Sequence, residues 1–286
     1  METKLSIVGS VHDPDLYFCR HIAYRIAKKY SGKFNVNFEA LLEIDFQMEL
    51  ESYKTQFPAD LYNYSHSHLV LRDGKVIGGL MDFVEVTIQE YRIEDAEIAN
   101  TMQFQREAKE RSITLIQETG NPSVYMDIFQ VSGGNEDNHL GRIVIELFDK
   151  ICPLACENFI QLCKESYRNC PIHRIVSNSW LQSGDIIDGT GNNSRSASGD
   201  PIPDESFAIE FGNKFGGIVG YSSSAPHSNG SQFFITLGPC EWMNCTKEGF
   251  GRVIQGYDVL KVLNNISVKN QRPSPRVYIG DCGIVK

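Results

Sequence analysis

Apolar and polar residues change their spacing several times along this chain, and each change marks an element. Leu5-Ser6-Ile7-Val8 is a short apolar run ending at Gly9-Ser10, which predicts a strand. From about Asp15 to Tyr30, Leu16, Cys19, Ile22, Ala23, Ile26 and Ala27 fall near a 3.6-residue period and predict a helix. Phe34 to Phe38 alternates as a strand does, and Leu41 to Tyr53 reads as a second, acidic helix. His68 to Leu71 and Val76 to Gly79 flank the tetrapeptide Arg72-Asp73-Gly74-Lys75. An Asp-Gly pair between two apolar runs is a strong hairpin signal. Helical spacing then returns from Met81 to Tyr91. The order in this first part is β-α-β-α-β-β-α.

Residues 94–122 are polar and charge-mixed. Ile98, Met102, Ile113 and Ile116 form a thin apolar stripe, and Gly120-Asn121-Pro122 ends it, so a helical linker is predicted. From Val124 the period becomes two. Val124 to Phe129 and Gly141 to Phe148 predict strands joined by the loop SGGNEDNH, and Pro153 to Cys163 predicts a helix. Short apolar runs follow between Gly, Ser and Asn turns, among them Ile218 to Tyr221 and Gln232 to Thr236. A helix at Asp258 to Leu263 and a strand at Arg276 to Ile279 close the pattern. Many short strands with two helices predict an antiparallel barrel with helices at its ends. The domains expected are 1–93, the linker 94–122, and 123–286.

Charge and cysteine placement narrow the function classes. The formal net charge is −9, and both parts are acidic: 13 Lys/Arg against 19 Asp/Glu in residues 1–122, and 14 against 17 in 123–286. With no basic run longer than Lys28-Lys29, neither nucleic acid nor an anionic membrane is expected as a partner. No apolar stretch is long enough to span a bilayer, and the opening residues do not read as a signal peptide, so a cytoplasmic location is expected. The eight cysteines contain no C-x-x-C pair. Cys152 and Cys156, four apart, hint only weakly at a metal, and buried free thiols are the expectation.

The β-α-β-α-β-β-α order, with the hairpin RDGKVIGG and its following helix, resembles the thioredoxin-like fold and the end of a glutaredoxin. Redox members of that family need a low-pKa cysteine at the start of the first helix. Here that turn reads His12-Asp13-Pro14-Asp15, and Cys19 lies at least one turn inside the helix. Where the family places a cis-proline before its third strand, this chain has Ser65-His66-Ser67-His68. The resemblance therefore implies a redox-dead adaptor.

The second part carries longer motifs: CPLACENF, Ile172-His173-Arg174-Ile175-Val176, Gln182-Ser183-Gly184-Asp185, SNGSQFFI over 228–235, Glu241-Trp242, Gly249-Phe250-Gly251-Arg252-Val253 and GDCG. In their order and spacing they resemble the cyclophilins over essentially all of residues 123–286. That resemblance implies a closed eight-stranded antiparallel barrel with two capping helices and a groove for a proline-containing peptide. It also implies peptidyl-prolyl cis-trans isomerase activity in protein folding without a cofactor. Arg174 matches the family's catalytic arginine, Gln182 and Gln232 its backbone-holding glutamines, Phe234 its aromatic wall and Trp242 its groove-edge indole. His173 occupies a family slot that a structural histidine could equally fill, and Gly191 falls where the family lines its groove with glycine.

Several positions depart from the family pattern. Ser179 then Trp180 stand where Phe then Met are usual, Met243 replaces Leu, Lys247 replaces a rim His, and Ser222-Ser223 replace an Ala-Asn pair. Losing an aromatic wall removes about 1.5–3 kcal/mol of apolar contact, which Trp180 either refills or blocks. A weakened isomerase is expected, with reduced cyclosporin affinity. The alternative is an inactive scaffold. The pairing of the two parts resembles cyclophilin-like proteins of ciliary axonemes and radial spokes, which implies protein partners in such an assembly and a ciliary location.

Overall fold

The chain, described here over residues 2–93, 101–133 and 136–285 of a computed structural model, divides into two units, Met1–Glu118 and Thr119–Lys286. Ile98, of the predicted stripe, and part of the SGGNEDNH loop lie outside the described residues.

In the first unit, β1 (Thr3–Ser10) leads into α1 (Pro14–Lys29). The turn between them is built for a helix start: the Asp13 carboxylate accepts the Asp15 N–H, Pro14 takes the first helical position, and Lys28 and Lys29 sit in the last turn. There follow β2 (Phe34–Leu41), α2 (Glu43–Gln56), a single turn α3 (Pro58–Leu61), β3 (His68–Arg72), β4 (Lys75–Gly78), α4 (Leu80–Tyr91) and α5 (Thr101–Glu118). The strands pair in the order β2-β1-β3-β4, with β1 and β2 parallel and the other pairs antiparallel.

The first unit extends to Glu118 because α5 belongs to its core. Phe104 and Ala108 are buried with Leu16, Cys19, Ile22 and Phe83, Phe104 stacks on Phe18 at 5.4 Å, and Arg20 pairs with Glu107. The helix read from sequence as a linker is therefore part of a domain. Its buried face runs through Phe104, Ala108, Ser112 and Ile116, while Met102, placed on the predicted stripe, is 77% exposed. The buried face departs from the predicted stripe because Phe104, Ala108 and Ser112 mix an aromatic, a small and a polar residue, which leaves no apolar period to see.

The second unit contains β5 (Ser123–Gln130), β6 (Asn138–Leu147), α6 (Pro153–Glu165), β7 (Arg174–Val176), β8 (Trp180–Ser183), β9 (Ile218–Tyr221), β10 (Phe233–Thr236), β11 (Gly249–Gln255), α7 (Tyr257–Asn264), β12 (Val268–Lys269), β13 (Arg272–Pro273) and β14 (Val277–Ile284). Eight of these strands form one antiparallel sheet in the order β14-β5-β6-β11-β9-β10-β8-β7. The closed barrel expected from sequence is corrected to an open one, because the end strands β14 and β7 form no ladder. The segment before β7 meets β14 only through a bridge at Pro171 and Tyr278 and bonds such as Ile172 N–H to the Val277 carbonyl at 2.9 Å. Pro171 has no N–H to donate, so the seam cannot continue as a regular ladder.

An aromatic cluster fills the space behind the curved sheet. Phe159 of α6 lies 5.0–5.4 Å from the rings of Tyr167, Phe233 and Phe250, and all four are fully buried. Each such ring removed from water contributes about 1.5–3 kcal/mol. This core fixes β10 and β11 from behind and leaves their other neighbours to shape the outer face.

Candidate functional site

Strand register brings the site together. Arg174 on β7 pairs directly with Gln182 on β8, and Gln182 pairs with Phe234 on β10. Directly opposed residues on adjacent strands point to the same face, so these three side chains stand in a row across three strands. Trp180, two residues before Gln182, shares that face. Ile175, Leu181 and Phe233 point the other way and are buried.

Phe234 continues the row inward. Its ring has room because Gly220 sits opposite it on β9, where a Cβ would stand 2.5 Å from the ring. With Phe211, Ile218, Cys240 and Met243 it makes a small apolar cluster on this face, and Trp180 packs against it. Met243, expected as a groove residue, is 3% exposed and forms part of the floor. Trp242, one residue earlier on a short 3-10 turn, is 62% exposed and meets Trp180 edge-on at 5.5 Å. The Arg174 guanidinium carbon lies 5.3 Å from the Trp180 ring centre.

The polar half is a connected hydrogen-bond network. The Gln182 amide donates to Ser222 Oγ at 2.7 Å and to Gln232 Oε1 at 3.0 Å. Gln232 in turn donates to the carbonyls of Gly191 and Asn193, and its own N–H and that of Ser231 reach Ser194 Oγ. Ser223 enters through its carbonyl, which accepts from Lys247 Nζ at 3.0 Å and so ties two rim loops together. Gly191 (φ 91°) lies against His173, where a Cβ would fall 2.5 Å from the imidazole ring. The loop around it is gathered on Asp185. Burial opposes the charge of that carboxylate, but N–H groups of Gly191, Asp188, Ile187 and Asn193 hold its pKa well below the usual range.

His173 is 6% exposed, burial lowers its pKa, its ring packs against Gly191, and neither ring nitrogen meets a hydrogen-bond partner among the described residues. A residue absent from the sequence reading touches the centre of the site: Gln271, whose Oε1 accepts from Arg174 Nε at 2.7 Å. Arg174 Nη1 and Nη2 meet no hydrogen-bond partner among the described residues.

Cavities adjoin some of these residues. One, of about 510 Å³, is lined by His173, Asp185 and Arg272 among others, and the second, of about 340 Å³, by Asp204, Ser223 and Lys247 among others. For a metal, Cys152, Glu205 and Glu248 place one donor atom each within 4.8 Å of one another. Glu205 already holds the Leu154 and Ala155 N–H groups, and Glu248 those of Glu205 and Ser206, so both carboxylates serve the backbone.

Known proteins bear on this geometry in two ways. Over nearly its whole length (98% of this chain, 91% of the relative) the chain is 28% identical to a human protein called "Probable inactive peptidyl-prolyl cis-trans isomerase-like 6". Over 57% of the chain it is 37% identical to a peptidyl-prolyl cis-trans isomerase of Encephalitozoon cuniculi, 94% of which is covered. Over 50% it is 37% identical to peptidyl-prolyl cis-trans isomerase H of Mycosarcoma maydis, 97% of which is covered. Residues 129–284 match the family described as cyclophilin type peptidyl-prolyl cis-trans isomerase/CLD. With Arg174, Gln182 and Phe234 in a row on one face of an eight-stranded sheet, this chain belongs to the cyclophilin-type peptidyl-prolyl cis-trans isomerases.

Proposed function

We propose that the second unit accelerates cis-trans isomerisation of X–Pro peptide bonds in protein substrates, more slowly than a groove with unaltered walls would. The uncatalysed barrier arises from partial double-bond character and amounts to about 18–20 kcal/mol. In the twisted state the prolyl nitrogen regains a lone pair and can accept a hydrogen bond. A guanidinium is permanently charged and presents rigid donors, so it stabilises that state over either planar one. The observation that carries the proposal is the row Arg174, Gln182, Phe234, with Arg174 anchored through Nε and its Nη donors uncommitted. Gln182 and Gln232 supply polar contacts for the peptide backbone, and Trp180 and Trp242 supply apolar surface for the proline ring above the buried Phe234. Neither a metal nor a cofactor enters this chemistry.

The test is exchange NMR on a short X–Pro peptide with the wild type and Arg174→Ala. Isomerisation by the wild type that falls at least ~10-fold in a folded Arg174→Ala variant is the expected result, equivalent to about 1.4 kcal/mol of transition-state stabilisation. Equal rates in the two proteins refute the role.

A second reading is favoured by the human relative's name and by Ser179, Ser222 and Ser223: an isomerase fold serving as a docking module, in which the ciliary resemblance points to axonemal partners. For the first unit, the strand order β2-β1-β3-β4 with β1 and β2 parallel supports a thioredoxin-like reading. Its chemistry is absent on this reading. Cys19 is fully buried, and burial together with Asp13 and Asp15 pushes its thiol pKa well up. Asp13 is engaged by His68 Nδ1 at 2.6 Å and Ser67 Oγ at 2.8 Å, so the turn where a redox cysteine would stand holds the fold together instead. Capture of the same partners by wild type and Arg174→Ala would support docking independent of the groove.

A further inference from the structure

The hairpin β12–β13 turns through two residues, Asn270 and Gln271, with φ of 52° and 64°. Two successive left-handed residues make the tight hairpin turn in which glycine is favoured at the second place, because an L side chain is disfavoured there. Gln271 stands in that place. Its backbone carbonyl accepts the Ile175 N–H at 2.6 Å, and its side-chain Oε1 accepts from Arg174 Nε at 2.7 Å. One residue in an unfavourable conformation thus grips β7 at two successive positions.

We infer that Gln271 is a positioning residue for Arg174, holding the guanidinium by its Nε edge so that its Nη donors face the peptide site. An arginine side chain turns about four bonds, and aiming its donors requires fixing them. The bond at Nε fixes one edge of the planar group, and the Trp180 ring 5.3 Å from its carbon lies against its face. Together they set the direction of the remaining four N–H donors. Glycine would suit the backbone better, so the side chain accounts for the residue only through what it binds. Pre-set donors act without reorganising as the bond twists. The catalytic part of this inference rests on the proposed isomerase reading; the tether does not.

The experiment compares wild type, Gln271→Gly and Gln271→Glu in the full chain by three readouts. These are the thermal midpoint, solvent exchange of the Arg174 Nε–Hε NMR signal, and kcat/KM on an X–Pro peptide. Gln271→Gly is expected to match or exceed the wild type in stability, to lose the slowly exchanging Hε signal, and to drop about 3- to 10-fold in kcat/KM, since the fixing of the donor is lost and not the donor itself. Gln271→Glu keeps the acceptor and is expected to retain both the signal and the rate. An Hε signal that exchanges equally fast in wild type and Gln271→Gly overturns the tether. A protected wild-type signal with unchanged kcat/KM in Gln271→Gly overturns positioning. If the wild type does not isomerise at all, the isomerase reading falls, and the Hε signal still decides the tether: protection supports it, and its absence overturns it.

Discussion

Replacing Trp180 with alanine decides whether this side chain rebuilds the groove wall or blocks it. Trp180 touches three things: the Arg174 guanidinium at 5.3 Å, the Trp242 ring at 5.5 Å with the planes 64° apart, and the cluster around Phe211, Phe234 and Met243. A cation over an indole at a partly exposed site contributes about 0.5–1 kcal/mol. An edge-on aromatic pair contributes about 0.5–1.5 kcal/mol beyond its buried area. If both act on the bound, twisted peptide by holding Arg174 and Trp242 in place, Trp180→Ala costs about 1–2.5 kcal/mol. At 1.36 kcal/mol per tenfold, kcat/KM falls roughly 5- to 70-fold. Exchange NMR on an X–Pro peptide measures this, beside Trp180→Phe, which keeps an aromatic edge for Trp242 and is expected to fall between the two. Near-UV circular dichroism and the thermal midpoint establish that Trp180→Ala is folded. A folded Trp180→Ala with kcat/KM equal to or above the wild type refutes the reasoning, because the indole would then be filling space the proline needs.

Two further outcomes are expected from burial and charge. Seven of the eight cysteines are buried and Cys245 is exposed, with burial pushing the Cys152 thiol up to about 12 and that of Cys282 up to about 11. Brief alkylation of the native protein near pH 8 should therefore add one label, located by mass spectrometry on Cys245, and fast labelling of Cys19 would reopen thiol chemistry in the first unit. In the same unit burial lowers the His12 pKa to about 4, against about 6.5 in the unfolded chain. Between those values the unfolded state binds the extra proton, so stability is present above pH 6.5 and is lost as pH falls toward 4, up to about tenfold in the unfolding constant per pH unit. Amide exchange of β1 and α1 at pH 7 and pH 5 should show this dependence in the wild type and a flatter one in His12→Asn.

The fold was legible where one period ran long enough to be seen. Ile218–Tyr221 is the strand its sequence predicts, the helix from Pro153 has its predicted start, and the Asp73-Gly74 hairpin lies between two paired strands. The end strands show the limit. Nothing local announces that β7 is only three residues long, and whether a sheet closes is decided by pairing between residues about a hundred positions apart. The single proline at 171 matters only once it is known to face Tyr278. The linker reading of α5 failed for a related reason: its stripe is thin by itself, and only the stacking of Phe104 on Phe18 shows which face is inside.

The same distinction runs through the groove. Arg174, Gln182, Gln232 and Phe234 were singled out because the motifs around them resemble those of the cyclophilins, and strand pairing puts Arg174, Gln182 and Phe234 side by side. Gln271 is 97 residues from Arg174 and sits in a two-residue turn, where polar residues are usual, so nothing marked it. The departures from the family pattern also sort by what they touch. Trp180 packs on the apolar cluster and Ser222 accepts from Gln182, so these two departures lie on the proposed peptide face, whereas the donor, its Nε anchor and the Gln182–Gln232 bond are all present. Wall contacts act on the planar and twisted peptide nearly alike, whereas a hydrogen bond to the prolyl nitrogen exists only in the twisted state. On the proposed isomerase reading, changes confined to the walls act mainly on how tightly a peptide is held, and leave in place the group that would lower the barrier.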